Sequence, residues 1–234
     1  MNLDTQPTDA ALEGASTTEV LRWAWQTFPG GIAVSSSFQT QSVPLLHMIA
    51  STVPQLPVLF LDTGYHFPET LAFRDRLARI WGLNLVVLKA ESAMDESAAG
   101  GPLYLSDPDM CCHLRKVVPM RQAIAGYRAW ISGIRRDQAA SRAAAGVVES
   151  LGEGRVRIHP MLHWSHSEVQ HYIVANGLPE HPLGALGYTS IGCAPCTRPP
   201  DPGGDPRSGR WAGSGKTECG LHTTLRPAGE ETRK

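Results

Sequence analysis

Short apolar runs alternate with stretches of helical periodicity up to residue 177, and this alternation constrains the fold more than any other feature. GGIAVSSSF, PVLFL, NLVVLKA, RAWISGI and RVRIHPML read as five strands. TTEVLRWAWQTF, TQSVPLLHMIAS, PETLAFRDRLARIWG, CCHLRKVVPMRQAIAG and SHSEVQHYIVANG read as the helices around them. Strands joined through helices need crossover connections, and these give a parallel sheet with helices on its faces. PVLFL is continuously apolar, as a strand covered on both sides should be. The fold class is therefore α/β with a parallel sheet. Thr17 or Thr18 is available to cap the first helix. Pro68 fits the first position of a helix that stops at Gly82. Pro119 should bend or interrupt the helix that follows Cys111. Ser165 with Glu168 forms a capping-box pattern, closed at the far end by Gly177.

Three segments lack periodicity. Residues 1–16 are polar and read as a disordered lead. Glu91 to Asp109 has no clear period. Residues 197–234 are rich in Pro and Gly, yet carry Cys, Arg and Trp, which suits a mobile functional flap better than an inert tail. Between lead and flap, residues 17–196 are expected to form one α/β domain.

Composition excludes some classes. A net charge of −1 gives no basic footprint for nucleic acid. The longest apolar runs are far too short to cross a bilayer. The N-terminus has no basic region followed by an apolar one, so a cytoplasmic location is expected. Thiols stay reduced there, and the five cysteines are then ligands or reactive groups rather than disulfides.

In parallel sheets ligands bind at the carboxyl ends of the strands, where SSSFQTQS, LDTG and GIRRDQ fall. The hydroxyls of SSSFQTQS and the helix N-terminus after it suit a phosphate. The turn is not a Walker A loop, because it lacks the GKS/T ending. Arg135 and Arg136, and likewise Arg207 and Arg210 in DPRSGR, carry forked guanidiniums that suit phosphate or sulfate oxygens. A solvated turn is the plainer reading of each.

Cys193 and Cys196 form a CxxC pair, and Cys111 and Cys112 are adjacent. Adjacent thiolates reach one tetrahedral zinc only with unusual geometry, whereas a cluster offers each its own iron. A four-iron cluster is the favoured reading; structural zinc and simple buried thiols remain open. Lys116 lies one helical turn beyond Cys112. Cys219 stands alone in KTECGLH, in a segment without apolar periodicity. Lys216 and His222 nearby favour its thiolate, while Glu218 opposes it.

Together the stretches SSSFQTQS, FLDTGYHFPET, CCHLRKVVP, WISGIRRDQ, GYTSIGCAPCT, DPRSGRW and KTECGLH resemble the thioredoxin-dependent phosphoadenylyl-/adenylylsulfate reductase family. The resemblance runs from about residue 30 to 222. It implies an adenine nucleotide α-hydrolase-like (PP-loop-type) fold, shared with ATP pyrophosphatases. Those enzymes carry Ser-Gly-Gly-x-Asp-Ser in the first turn, and its absence here argues against ATP cleavage. The resemblance places Ser35 and Ser37 at the nucleotide phosphate and Leu61 at the adenine. Arg135 and Arg136 fall in the family's arginine loop. Lys116, Arg207 and Arg210 match positions that hold the phosphosulfate; His222, close to Cys219 in sequence, is a further substrate-binding candidate. Cys111, Cys112, Cys193 and Cys196 match the ligands of a [4Fe–4S] cluster, and Cys219 matches the nucleophile. One departure is visible: Trp211 stands alone after GR, where members often carry an aromatic run.

The implied activity is thioredoxin-dependent reduction of adenylyl sulfate (APS) to sulfite and AMP through a cysteine S-sulfonate, in sulfate assimilation. Reduction of phosphoadenylyl sulfate (PAPS) is the nearest alternative. Members of that kind generally lack the four cluster cysteines, so the intact set favours APS. A zinc-stabilised nucleotide-binding module, with Cys219 incidental, is the non-enzymatic alternative. Self-association is compatible with the family.

Overall fold

The computed structural model describes residues 9–90, 101–139 and 142–221. Six strands form one sheet: β1 (Ile32–Ser35), β2 (Val58–Asp62), β3 (Leu85–Lys89), β4 (Ala129–Ser132), β5 (Val148–Gly152) and β6 (Arg155–Ile158). Their order is β3-β2-β1-β4-β6-β5. The first five in that order run parallel. β5 pairs antiparallel with β6, with an irregularity between Ser150 and Gly152. The all-parallel five-strand expectation is thus corrected by one antiparallel edge strand. Its turn is tight: Glu153 and Gly154 have φ of 53° and 70°, the pair of left-handed residues that lets a short hairpin follow the sheet's twist.

The helices are α1 (Asp9–Leu12), α2 (Thr17–Thr27), α3 (Val43–Thr52), α4 (Pro68–Trp81), α5 (Leu103–Ser106), α6 (Pro108–Cys112), α7 (Val118–Ile124) and α8 (His166–Ala175). Several ends follow the sequence signals. Pro68 opens α4 and Gly82, at φ 59°, closes it. Ser165 and Glu168 complete the capping box of α8. Two expectations change. Ser16, not Thr17 or Thr18, caps α2, in a capping box with Glu19; Thr17 instead donates to the Pro160 carbonyl at 2.8 Å. Within the lead, residues 1–8 lie outside the described residues, whereas Asp9–Leu12 are helical and Glu13 pairs with Arg136 at 2.8 Å. The region from Cys111 to Ala125 bends through a π-helical stretch, His113–Val117, between α6 and α7. Pro119 sits in the first turn of α7, where its missing N–H costs nothing. Of the aperiodic stretch 91–109, residues 91–100 lie outside the described residues.

Side chains alternate across the sheet. Ile32, Val34, Val58, Phe60, Ala129 and Ile131 enter one core with α2, α3 and α8. Ala33, Leu59 and Trp130 face the other way, onto Val117, Met120 and Ile124. Burying each large apolar side chain contributes about 1.5–3 kcal/mol, so the second core fixes the bent cysteine helix to the sheet. The chain moves outward from β1 through β2 to β3, then returns to place β4 on the opposite side of β1. The crevice between β1 and β4 at their carboxyl ends is the switch point where open α/β sheets bind ligands.

Candidate active site

A cavity of about 400 Å³ opens at that switch point. Ser35 lines it from the end of β1 and Ser37 from the turn that follows, Leu61 from β2, and Ser132 with Arg135 from β4 and its following turn. Lys116, Arg207, Arg210 and Cys219 line it as well. The structure therefore brings together residues separated by more than 180 positions.

The turn after β1 is held from behind. Trp130 Nε1 donates to Ser35 Oγ at 2.8 Å. An indole N–H is only a donor, so the Ser35 hydroxyl proton is left to point elsewhere. Ser37 Oγ lies 3.4 Å from Ser42 Oγ. Phe38 has a φ of 54°, unfavourable for a bulky residue. Complete burial of its ring, edge-on to Phe60 at 5.7 Å, offsets that cost. The Leu61 carbonyl accepts from His66 Nε2 at 2.7 Å. Burial pushes the His66 imidazole below its ordinary pKa and favours the neutral ring.

The two arginines after β4 part company. Arg135 is buried; it bonds Asp137 at 3.0 Å and Gln41 at 3.0 Å and lines the cavity. Arg136 is absent from the cavity wall. It donates to the Ala145 carbonyl and to Glu13, with His163 at 3.2 Å. Arg142, which no sequence motif singled out, lines the cavity and donates to Glu218 at 3.0 Å.

The C-terminal segment contributes to the cavity wall as far as Leu221. Trp211 N donates to the Cys196 carbonyl at 2.9 Å and Arg198 N to the Gly209 carbonyl at 3.0 Å. Trp211 is buried, with the Arg210 guanidinium 4.5 Å and the Lys216 ammonium 5.6 Å from its ring centre. Two cations thus pack near one aromatic ring in this region. Lys216 also pairs with Asp109, beside the adjacent cysteines. Leu221 packs on the second core. His222 lies outside the described residues.

Cys111, Cys112 and Cys193 are buried and Cys196 is half-buried, all as free thiols. Thr63 Oγ1 lies 3.3 Å from Cys193 Sγ. Burial, then neighbouring thiols, pushes Cys111 up to about 11 and raises Cys112 and Cys196. Burial opposes the charge on Lys116, but Cys193, Cys219 and Cys112 outweigh it and raise its pKa. Among the described residues no group of three or more His, Cys, Asp or Glu side chains converges on one metal ion. A cluster asks for something else: thiolates spread around a body, each on its own iron. Cys112, Cys193 and Cys196 all act electrostatically on Cys111, and three of the four thiols are buried, an arrangement that fits that requirement.

Residues 31–199 match the phosphoadenosine phosphosulfate reductase domain. The chain belongs to this family. Within it, the chain is 46% identical over 225 residues to the adenosine 5'-phosphosulfate reductase of Rhodococcus erythropolis, covering 91% of each. The crystal structure of a phosphoadenylyl-sulfate reductase from Candida auris superposes with a TM-score of 0.71 at 31% identity, covering 81% of this chain and 94% of that one. The FMN adenylyltransferase of Candida glabrata shares the fold at a TM-score of 0.58 and 18% identity, over 79% of this chain and 61% of that one. These neighbours bear out the expected nucleotide-binding α/β fold. No helix among the described residues is long and apolar enough to cross a membrane.

Proposed function

We propose that the chain reduces adenylyl sulfate to sulfite and AMP, with Cys219 as nucleophile and thioredoxin as electron donor. The observation that carries this reading is the placement of Cys219 on the switch-point cavity together with Lys116, Arg207 and Arg210. In the first step the Cys219 thiolate attacks the sulfur of the substrate. An S–S bond forms, the S–O bond to the phosphate breaks, and AMP leaves with the electron pair. In the second step a thioredoxin thiolate attacks Cys219 Sγ and releases sulfite. The second thioredoxin thiol resolves the mixed disulfide, so two electrons come from the dithiol and Cys219 is regenerated.

The cations have a definite task. Thiolate and substrate are both anionic, and preorganised positive charge lowers the cost of bringing them together. Ser35 and Ser37 bind the nucleotide phosphate and the Leu61 edge faces the adenine. AMP is a good leaving group, so no general acid is required. Cys111, Cys112, Cys193 and Cys196 would hold a [4Fe–4S] cluster, which when bound supplies electrostatic organisation of the anion site. Arg135 reaches the substrate region, whereas Arg136 acts on the loop behind it.

APS is favoured over PAPS by the four cysteines and by the name its 46%-identical relative carries. The Candida auris likeness keeps PAPS as the second reading. Anaerobically purified protein, thioredoxin and each substrate separately decide the matter. Sulfite release from APS well above that from PAPS is expected; the reverse preference would overturn the assignment. A cytoplasmic location, where thioredoxin is reduced, follows from the same reading, and self-association is compatible with it.

A further inference from the structure

Glu218 precedes Cys219, and its carboxylate bridges two arginines from different parts of the chain. Oε1 accepts from Arg142 Nη2 at 3.0 Å, and Oε2 accepts from Arg207 Nη2 at 3.4 Å. Arg142, Arg207, Glu218 and Cys219 all line the cavity. Arg142 is itself anchored: it donates to Gln138 Oε1, and Gln138 Nε2 donates to Gln41 Oε1 at 3.3 Å. Gln41 in turn accepts from buried Arg135. Arg207 is held less firmly, by the Thr217 carbonyl at 3.1 Å and the long contact to Glu218. The two halves of the bridge are therefore unequal.

From this geometry we infer that Glu218 is a positioning residue for Cys219, its ion pair with Arg142 acting as a latch that holds the nucleophile at the cavity. This deepens the proposed function and rests on it. Arg142 belongs to the fixed wall, so the pair ties the Cys219 backbone to the same frame that holds the nucleotide turn. The weaker partner, Arg207, is free to exchange the carboxylate for an oxygen of the anionic substrate while the Arg142 contact persists. With side chains only 11% and 20% exposed, the Arg142–Glu218 pair is largely shielded from water, so removing one partner should loosen the segment measurably. The acidic residue beside the nucleophile thereby has a mechanical reason to be there.

The test uses the full-length holoprotein and the variants Glu218→Gln and Glu218→Asp. Single-turnover S-sulfonation by APS, without thioredoxin, should slow about tenfold in Glu218→Gln, the loss of one charge-assisted hydrogen bond. Glu218→Asp keeps the charge and should recover part of the rate. AMP affinity should stay the same or tighten, because a carboxylate competing for Arg207 has been removed. A residue that only stabilised the fold would lower rate and AMP affinity together, and that result would overturn the inference. Hydrogen exchange in the peptide from Trp211 to Leu221 should quicken in Glu218→Gln. Unchanged exchange would show that there is no latch; quicker exchange with an unchanged S-sulfonation rate would show that the latch does not position the thiol. Absence of the adduct in the unmodified protein would instead refute the proposed function, with the exchange comparison still deciding whether the latch exists.

Discussion

Gly192→Ala should disable the enzyme through a side chain it does not itself supply. Gly192 lies on the cavity next to Cys193, and its backbone is outside the left-handed region, so alanine fits the local conformation. The difficulty is space. A Cβ there would stand 2.2 Å from Arg210 Nη2, 2.4 Å from Cζ and 2.9 Å from Nη1. The guanidinium must move, although it is fixed by a 3.0 Å bond to the Ile191 carbonyl and by its place over Trp211. If Arg210 contacts the phosphosulfate, the methyl group removes one hydrogen bond between charged groups, worth about 1.5–3 kcal/mol. At about 1.36 kcal/mol per factor of ten, kcat/KM for APS should fall about 10- to 150-fold. The fold loses the Ile191 bond and the stacking on Trp211, together about 1.5–2 kcal/mol, so Tm should fall by about 3–8 °C. Steady-state kinetics with saturating thioredoxin, together with thermal melting, would check both values. Combining Gly192→Ala with Arg210→Ala adds a stricter control: one lost interaction cannot be lost twice, so the double variant should be no slower than Arg210→Ala alone. A kcat/KM within about threefold of the parent, or losses that multiply in the double variant, would refute the reasoning.

Three further outcomes follow from the same geometry. Trp130→Phe retains the buried ring but removes the donor to Ser35; KM for APS should rise about fivefold, the worth of roughly 1 kcal/mol, with kcat changed less. Burial raises the Glu149 carboxyl, but bonds and charges from His159 and Arg157 outweigh it and bring it from 4.5 to about 2. Its contribution to stability is therefore full above pH 4.5 and lost as pH falls from there towards 2. Urea midpoints measured down the acid limb should fall more steeply for the parent protein than for Glu149→Gln. Replacing any one of Cys111, Cys112, Cys193 or Cys196 by Ser should remove iron and activity together, read by metal and sulfide analysis; retained iron and turnover would count against the cluster reading.

The sequence made the strand–helix rhythm legible because each strand is short, apolar and bounded by turn residues. It also exposed the chemistry. Two cysteine pairs, a lone cysteine and three polar turns are local signals, and the switch point collects most of them. What stayed hidden depends on long-range contacts. β5 reads as loop because VESLG is brief and half polar, and it becomes a strand only through its register with β6. Arg142 lies seven residues beyond Arg135 with no motif around it, yet the chain path returns it to Glu218. Arg135 and Arg136 are equivalent in sequence, and only the fold directs one to Gln41 and the other to Glu13. The demand at Gly192 is similarly non-local, since Arg210 fills the place of the missing side chain. Ser16, Thr17 and Thr18 are equally good caps by residue type, and only the fold selects Ser16.

The central claim is that Cys219 attacks sulfur and carries it away from AMP. Intact mass spectrometry of anaerobically purified protein, incubated with APS and no thioredoxin, tests it most directly. The account predicts a single sulfonate adduct that maps to the peptide containing Cys219, is released as sulfite when thioredoxin is added, and does not form in Cys219→Ser. An adduct on another cysteine, or sulfite released by Cys219→Ser, would contradict it.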